Sequence, residues 1–124
     1  MSYTKAELKQ AIQDYSEKLN ALGDTTGAFS IDIASGNHVS LTLTGDATLS
    51  ISNAPPSGNF GILLMYVSQD ATGGHTLTFP AAFVNTAGSN FTISDETAST
   101  MTQVFAFTLD GGTTWRAKQG DTWS

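Results

Sequence analysis

The sequence contains no cysteine, which removes disulfides, thiolate metal sites and cysteine nucleophiles together. Stability has to come from packing or from assembly. Charge is scarce as well: only 13% of residues are charged, against about 25% in ordinary soluble domains. Cations are missing altogether between Lys18 and Arg116, leaving Lys5, Lys9 and Lys18 near the start and Arg116 and Lys118 near the end. With a net charge of −6, the long middle of the chain would repel a phosphate backbone, which excludes a nucleic-acid partner. No apolar run approaches the ~20 residues of a membrane span, so no membrane partner is expected. The first residues are polar and charged where a signal peptide needs an apolar stretch, so the expected route is synthesis in the cytoplasm without export.

What the chain does have is apolar residues, at 40%, and hydroxyls, with serine and threonine at 31 of 124 positions. That length is one domain plus an appendage. The appendage reads as a helix. Thr4-Lys5-Ala6-Glu7 is a capping box and Gly23 a stop. Between them Leu8, Ile12, Tyr15, Leu19 and Leu22 follow a 4-3-4-3 spacing that lines one stripe. A stripe this apolar has to be buried, on the chain's own sheet or against symmetry mates in a coiled-coil-like bundle. The reading divides the chain into an attachment or oligomerisation arm at residues 1–26, a β-domain at 27–118 and a C-terminal tail at 119–124.

From residue 28 the apolar period drops to two. Phe29, Ile31 and Ile33, then Val39, Leu41 and Leu43, then Leu49 and Ile51 alternate with polar residues, as half-buried strands do. The run Phe60–Val67 lacks alternation, which predicts a strand covered on both faces, by a second sheet and by the helix. His75–Phe79, Phe91–Ile93, Val104–Leu109 and Thr113–Ala117 bring the total to about eight short strands. The predicted fold is mainly β, an antiparallel β-sandwich or jelly-roll-like domain with one N-terminal α-helix. A three-residue loop at Asp110-Gly111-Gly112 would pair Phe107 with Trp115 and keep the large apolar groups on one face. At Gly45-Asp46 a simple two-residue hairpin fails the same register arithmetic. Similar strand chemistry recurs in Ser40–Leu43, Thr48–Ile51 and His75–Phe79, without a fixed period of the kind that marks a repeat protein.

No constellation for catalysis is present, so we expect a non-enzyme without cofactor or metal. His38 and His75 are isolated, and Asp70 with His75 makes at most a minimal local site. Asp95-Glu96 are adjacent on the chain and face apart, no nucleophile elbow occurs, and the sequon Asn90-Phe91-Thr92 has no secretory context. Exposed aromatics could serve as platforms for sugars, with Tyr66, Trp115 and Trp123 the natural choices. Register places Trp115 in the core. Trp123, so near the end, makes sense if it docks onto something, so the candidate partner contacts are Leu8, Ile12, Tyr15, Leu19, Leu22 and Trp123.

Three motifs in order carry a family resemblance: Gly36-Asn37-His38-Val39-Ser40-Leu41-Thr42-Leu43-Thr44-Gly45-Asp46-Ala47-Thr48-Leu49, then Gln69-Asp70-Ala71-Thr72-Gly73-Gly74-His75-Thr76-Leu77-Thr78-Phe79-Pro80, then Asp110-Gly111-Gly112-Thr113-Thr114-Trp115. Over roughly residues 30–118 the chain resembles a small β-domain recurrent in virion proteins of tailed bacteriophages. The first residues, Ser2–Leu8 and Gln10–Tyr15, resemble the opening helix of some phage neck and tail-attachment proteins. The resemblance implies a virion structural protein, made in the bacterial cytoplasm, with other virion proteins as partners and with no catalytic residues to carry over. A capsid decoration or cement protein on the major capsid protein is the first expectation, as a homo-oligomer such as a trimer. A tail, neck or tail-fibre component and a carbohydrate-binding receptor module are the alternatives. The lack of the further domains of long fibre proteins argues for a compact unit over a fibre.

Overall fold

The computed structural model describes residues 4–5 and 17–124. Among these residues seven strands form one mixed sheet: β1 (Leu19–Asp32), β2 (His38–Ser52), β3 (Gly61–Gln69), β4 (Leu77–Thr78), β5 (Phe83–Val84), β6 (Met101–Thr108) and β7 (Trp115–Trp123). The order across the sheet is β1-β2-β3-β6-β7-β5, with β4 added to β2. The pairs β1–β2, β2–β3, β2–β4 and β5–β7 are parallel, and only β3–β6 and β6–β7 are antiparallel. The expected antiparallel sandwich of about eight strands is thereby corrected to a seven-stranded mixed sheet. The residues around Phe91–Ile93, expected as a strand, contribute a single bridge between Val84 and Asn90.

Chain length explains how strands this long can be parallel neighbours. Leu19 pairs with His38 and Asp32 with Ser52, so a straight β1 would put its two ends about 45 Å apart. Only residues 33–37 join β1 to β2, and they reach at most about 20 Å. Both strands must therefore fold back on themselves midway. The fold lies where the register slips, at Ala21/Gly23 and Thr25/Gly27, and β2 there sets Thr44, Gly45 and Asp46 against Thr26 alone. A Cβ on Gly45 would stand 2.4 Å from the Thr26 hydroxyl oxygen, so a side chain at this corner would have to displace that of Thr26. The Gly45-Asp46 segment is thus a corner within one strand. Past it, the first half of β2 pairs with β3 and the second half with β4. The result is a short coil of three stacked layers, closed by the β6–β7 hairpin.

The core lies inside the bend. Val39, Leu41, Leu43, Leu63, Met65, Val67, Val104, Ala106 and Trp115 from one arm meet Ile31, Ala47, Leu49, Leu77, Phe79, Phe83 and Phe91 in a single buried cluster. Trp115 is 1% exposed and stacks on Phe83 at 5.5 Å, while Phe79 meets Phe91 edge-on at 4.9 Å. Each such aromatic pair is worth about 0.5–1.5 kcal/mol beyond the area it buries. The hairpin register differs from the expected one by a residue: Thr108 pairs with Trp115, Phe107 with Arg116 and Phe105 with Lys118. The expectation assumed that the large apolar side chains share one face. They do not: Trp115 points inward with Val104 and Ala106, and Phe105 and Phe107 lie on the opposite face.

The helical stripe is divided in the same way. Leu8, Ile12 and Tyr15 lie outside the described residues, and Leu19 and Leu22 are strand residues of β1. β7 continues to Trp123.

Candidate functional site

The outer face of β1, β2, β3, β6 and β7 is where the sequence places side chains that the core does not use. Strand pairing arranges them in rows. One row runs Asp24, Thr42, Ser68, Met101, Trp123; the next holds Ala21, Ser40, Tyr66 and Gln103. A third runs Leu19, His38, Leu64, Phe105, Lys118, and a fourth Ile62, Phe107, Arg116. The face therefore grades from hydroxyls around one indole to a cluster of aromatic and aliphatic side chains. β3 records the same division: Leu63, Met65, Val67 and Gln69 are buried, and Ile62, Leu64, Tyr66 and Ser68 are half-buried. The non-alternating apolar run needs a cover on both faces, and among the described residues only the inner one is complete.

At the polar end Trp123 is 46% exposed. It borders a shallow groove of about 340 Å³ with Thr42, Ser68, Gln69, Ser99, Thr100 and Met101. The side chains that face it are uncharged, rich in hydroxyl groups, and set beside a flat aromatic ring. Such a surface can stack on an apolar ring face and hydrogen-bond to groups around its edge.

The second phage-like motif, which begins at this end, is a clasp. Gln69, buried on the inner face, donates from Nε2 to the His75 carbonyl at 2.8 Å and accepts from the His75 amide at 3.1 Å. Asp70 Oδ1 accepts from the amides of Thr72 and Gly73, both at 3.0 Å, and meets His75 Nε2 at 2.9 Å. The Gly73 amide hydrogen bond is the largest cause that holds the Asp70 carboxyl below its ordinary range, and the His75 ring adds to it. Asp70 and His75, the minimal metal pair of the sequence, are thus engaged in closing the corner between β3 and β4. Among the described residues no three His, Asp or Glu side chains are grouped as a metal ion requires. The closing motif works alike: Asp110 Oδ1 accepts from the Thr114 amide and the Thr108 hydroxyl, which also keeps its carboxyl low. Asn90 gives its side-chain amide to the carbonyls of Pro80 and Phe83, and Asp95 caps the Thr97 amide. These motifs hold loops.

At the apolar end Phe60 and Leu109 are 63% and 57% exposed and Phe105 38%. Phe107 lies 6.1 Å from both Phe60 and Phe105, centroid to centroid. A groove of about 490 Å³ runs beside them between Phe105, Phe107, Arg116 and Lys118 and the loop of Val84, Asn85, Thr86 and Gly88. Of the candidate contacts, Leu19 joins this region and Trp123 stands apart from it. Leu22 packs on the core cluster beside the corner. Phe60, Ile62, Leu64, Phe105 and Phe107 were missed as surface residues, although the two-faced run Phe60–Val67 carried the signal.

A comparison with protein-family models matches residues 24–114 to the family described as "Putative phage tail fibre C-terminal domain". The chain belongs to that family. No curated protein and no solved structure matches it. As a tail fibre C-terminal domain it is a non-catalytic structural protein of the phage virion, of the tail-appendage type, and associates with other tail proteins. Capsid decoration or cement, the first expectation, is corrected accordingly. The lack of the further domains of long fibre proteins is no evidence against a domain of a fibre. The match starts within the first arm of β1 and stops one residue before β7, so it spans the coil and leaves Trp123 and the β7 cations outside.

Proposed function

We propose that this tail fibre domain is an attachment module that recognises carbohydrate on the host surface through the groove around Trp123. The observation that carries the reading is the half-exposed indole in a row with Met101, Ser68 and Thr42. A sugar ring offers an apolar C–H face to the indole and hydroxyls to the surrounding Ser and Thr side chains. The domain works as a closed homo-oligomer, with a trimer the natural form, so that several weak sites act together through avidity.

Titration with surface polysaccharide purified from the host tests this. The two tryptophans differ in exposure, Trp115 being buried and Trp123 exposed, so a fluorescence change on binding reports Trp123. Trp123→Ala should weaken binding about tenfold or more, equivalent to ~1.4 kcal/mol, and leave the melting temperature unchanged. A domain that binds neither polysaccharide nor host cells, yet still joins the other tail proteins, would be a connector within the fibre instead.

A further inference from the structure

We propose that the apolar end of the outer face is the surface by which this domain docks onto a neighbouring tail protein, and that it takes a segment with two carboxylates beside an apolar side chain. This goes beyond the reading of the Trp123 groove, at the other end of the face, and does not rest on it.

Charge specifies the partner. Arg116 and Lys118 are the only cations of the described β-domain beyond Lys18. They alternate on β7 with the buried Trp115 and Ala117, so both point outward, about 7 Å apart along the strand. Among the described residues neither is ion-paired. Asp110, whose carboxyl feels Arg116, is taken up by the Thr114 amide and the Thr108 hydroxyl. In a chain with 11 acidic residues against 5 basic, two neighbouring cations left unneutralised make a positive site in negative surroundings. Residues two apart on an extended segment are also about 7 Å apart. Acids at alternate positions of such a segment therefore match the pair, one on the guanidinium fork and one on the ammonium.

The surroundings of the cations favour a protein over a sugar. Strand pairing sets Phe107 beside Arg116 and Phe105 beside Lys118, and Ile62 and Leu64 extend the apolar surface onto β3. Aromatic side chains with arginine are what the centres of protein interfaces are made of, whereas the hydroxyls that suit a sugar lie at the Trp123 end. The far wall of the groove is already ordered. Asn85 Oδ1 accepts from the Ala87 and Ser89 amides at 2.9 and 3.0 Å, its amide donates to the Ser89 carbonyl, and its carbonyl accepts from the Gly88 amide. A partner that binds against a fixed wall pays little ordering entropy there. The association with other tail proteins that comes with the family thus has a surface of matching chemistry.

Zero-length carbodiimide crosslinking of intact phage particles, read by mass spectrometry, tests this, because it joins an amine to a carboxylate only where the two touch. Lys118 should be joined to an aspartate or glutamate of another tail protein. With purified components, the full chain carrying both Arg116→Glu and Lys118→Glu, and separately Phe105→Ser, should bind tails that lack it about tenfold more weakly than the parent. Binding of the parent should weaken as salt is raised. Thr48→Glu, which adds the same charge to an exposed position on the other arm of the bend, should bind as the parent does. Arg116 and Lys118 are exposed, so the charge-reversed chain keeps its fold, which a thermal melt checks, and decides the matter even where Phe105→Ser unfolds. In particles rebuilt from isotope-labelled and unlabelled chain, Lys118 joined only to a second copy would overturn the proposal and make the face an interface between copies. No crosslink from Lys118 to another tail protein would overturn it as well, as would a charge-reversed chain that binds tails like the parent.

Discussion

Gly73 and Gly74 lie side by side in the β3–β4 corner, and replacing each by alanine separates two physical costs that are usually mixed. Both have left-handed backbone, with φ of 68° and 73°, so either substitution costs about 1–2 kcal/mol from that conformation alone. Their surroundings differ. A Cβ on Gly73 would stand 2.6 Å from the Ala98 amide nitrogen and 2.7 Å from its Cα, whereas a Cβ on Gly74 meets nothing within 4 Å. Backbone cannot move aside as a flexible side chain can, and forced overpacking costs a further ~1–3 kcal/mol. We expect Gly73→Ala to lose about 2–5 kcal/mol and Gly74→Ala about 1–2 kcal/mol. Domain stabilities of about 5–15 kcal/mol leave room to measure both, and each kcal/mol is worth about 4 °C in a chain of this size. Equilibrium urea unfolding and thermal melts supply the numbers. Ser99 donates its amide to the Asp70 carbonyl and Ser99 and Thr100 line the Trp123 groove, so Gly73→Ala should also weaken ligand binding there. Equal losses from the two substitutions would refute the close approach of the two loops on which this reasoning stands.

Two further outcomes follow from the core and the clasps. Trp115→Ala should cost about 3–5 kcal/mol, because a buried ring stacked on Phe83 leaves a cavity that the bent sheet cannot close; a loss under 1 kcal/mol in urea unfolding would place Trp115 outside the core. The carboxyls of Asp70 and Asp110 are held below their ordinary value by hydrogen bonds made only in the fold, so their contribution is present above the unfolded pKa of about 3.9 and lost as pH falls through the lower folded values. Asp70→Asn and Asp110→Asn should therefore destabilise the domain at pH 7 and differ progressively less from the parent below pH 4; a gap that stays constant into acid would count against the clasps.

Most strands were legible, from apolar alternation in β2 and from the continuous apolar run in β3. Val39, Leu41 and Leu43 are buried between less buried neighbours as their period requires, and Trp115 is in the core. Parallel pairing was not legible. A hairpin announces itself through a short loop between adjacent strands, whereas here each long strand bends back at a corner and pairs with one a full layer away. The corners and connections differ in length between layers, Thr44–Asp46 in one and Asp70–Thr76 in the next, so the stack leaves no fixed period in the sequence. The echo between Thr48 and Thr78 was nevertheless spatial: the two residues are direct partners on β2 and β4. The hairpin register failed for a different reason. Counting apolar residues on one face presumes that the other face is wet, and Phe105 and Phe107 break that presumption.

The same presumption bears on how the outer face can work. Inside the bend nearly every apolar position is spoken for by the core, and the motif residues Gln69, Asp70 and Asp110 are consumed in holding corners and loops. Substitution there is costly whatever the module binds. The outer rows carry no such duty beyond the packing of their half-buried side chains, so contacts with partners can vary there without loss of the fold. Met101 and Phe105 lie four residues apart on β6, about 13 Å, which separates the indole end from the aromatic end by more than one sugar ring. A ligand stacked on Trp123 would therefore leave the aromatic end uncovered, and polysaccharide binding should be indifferent to Phe105→Ser, which changes only that end.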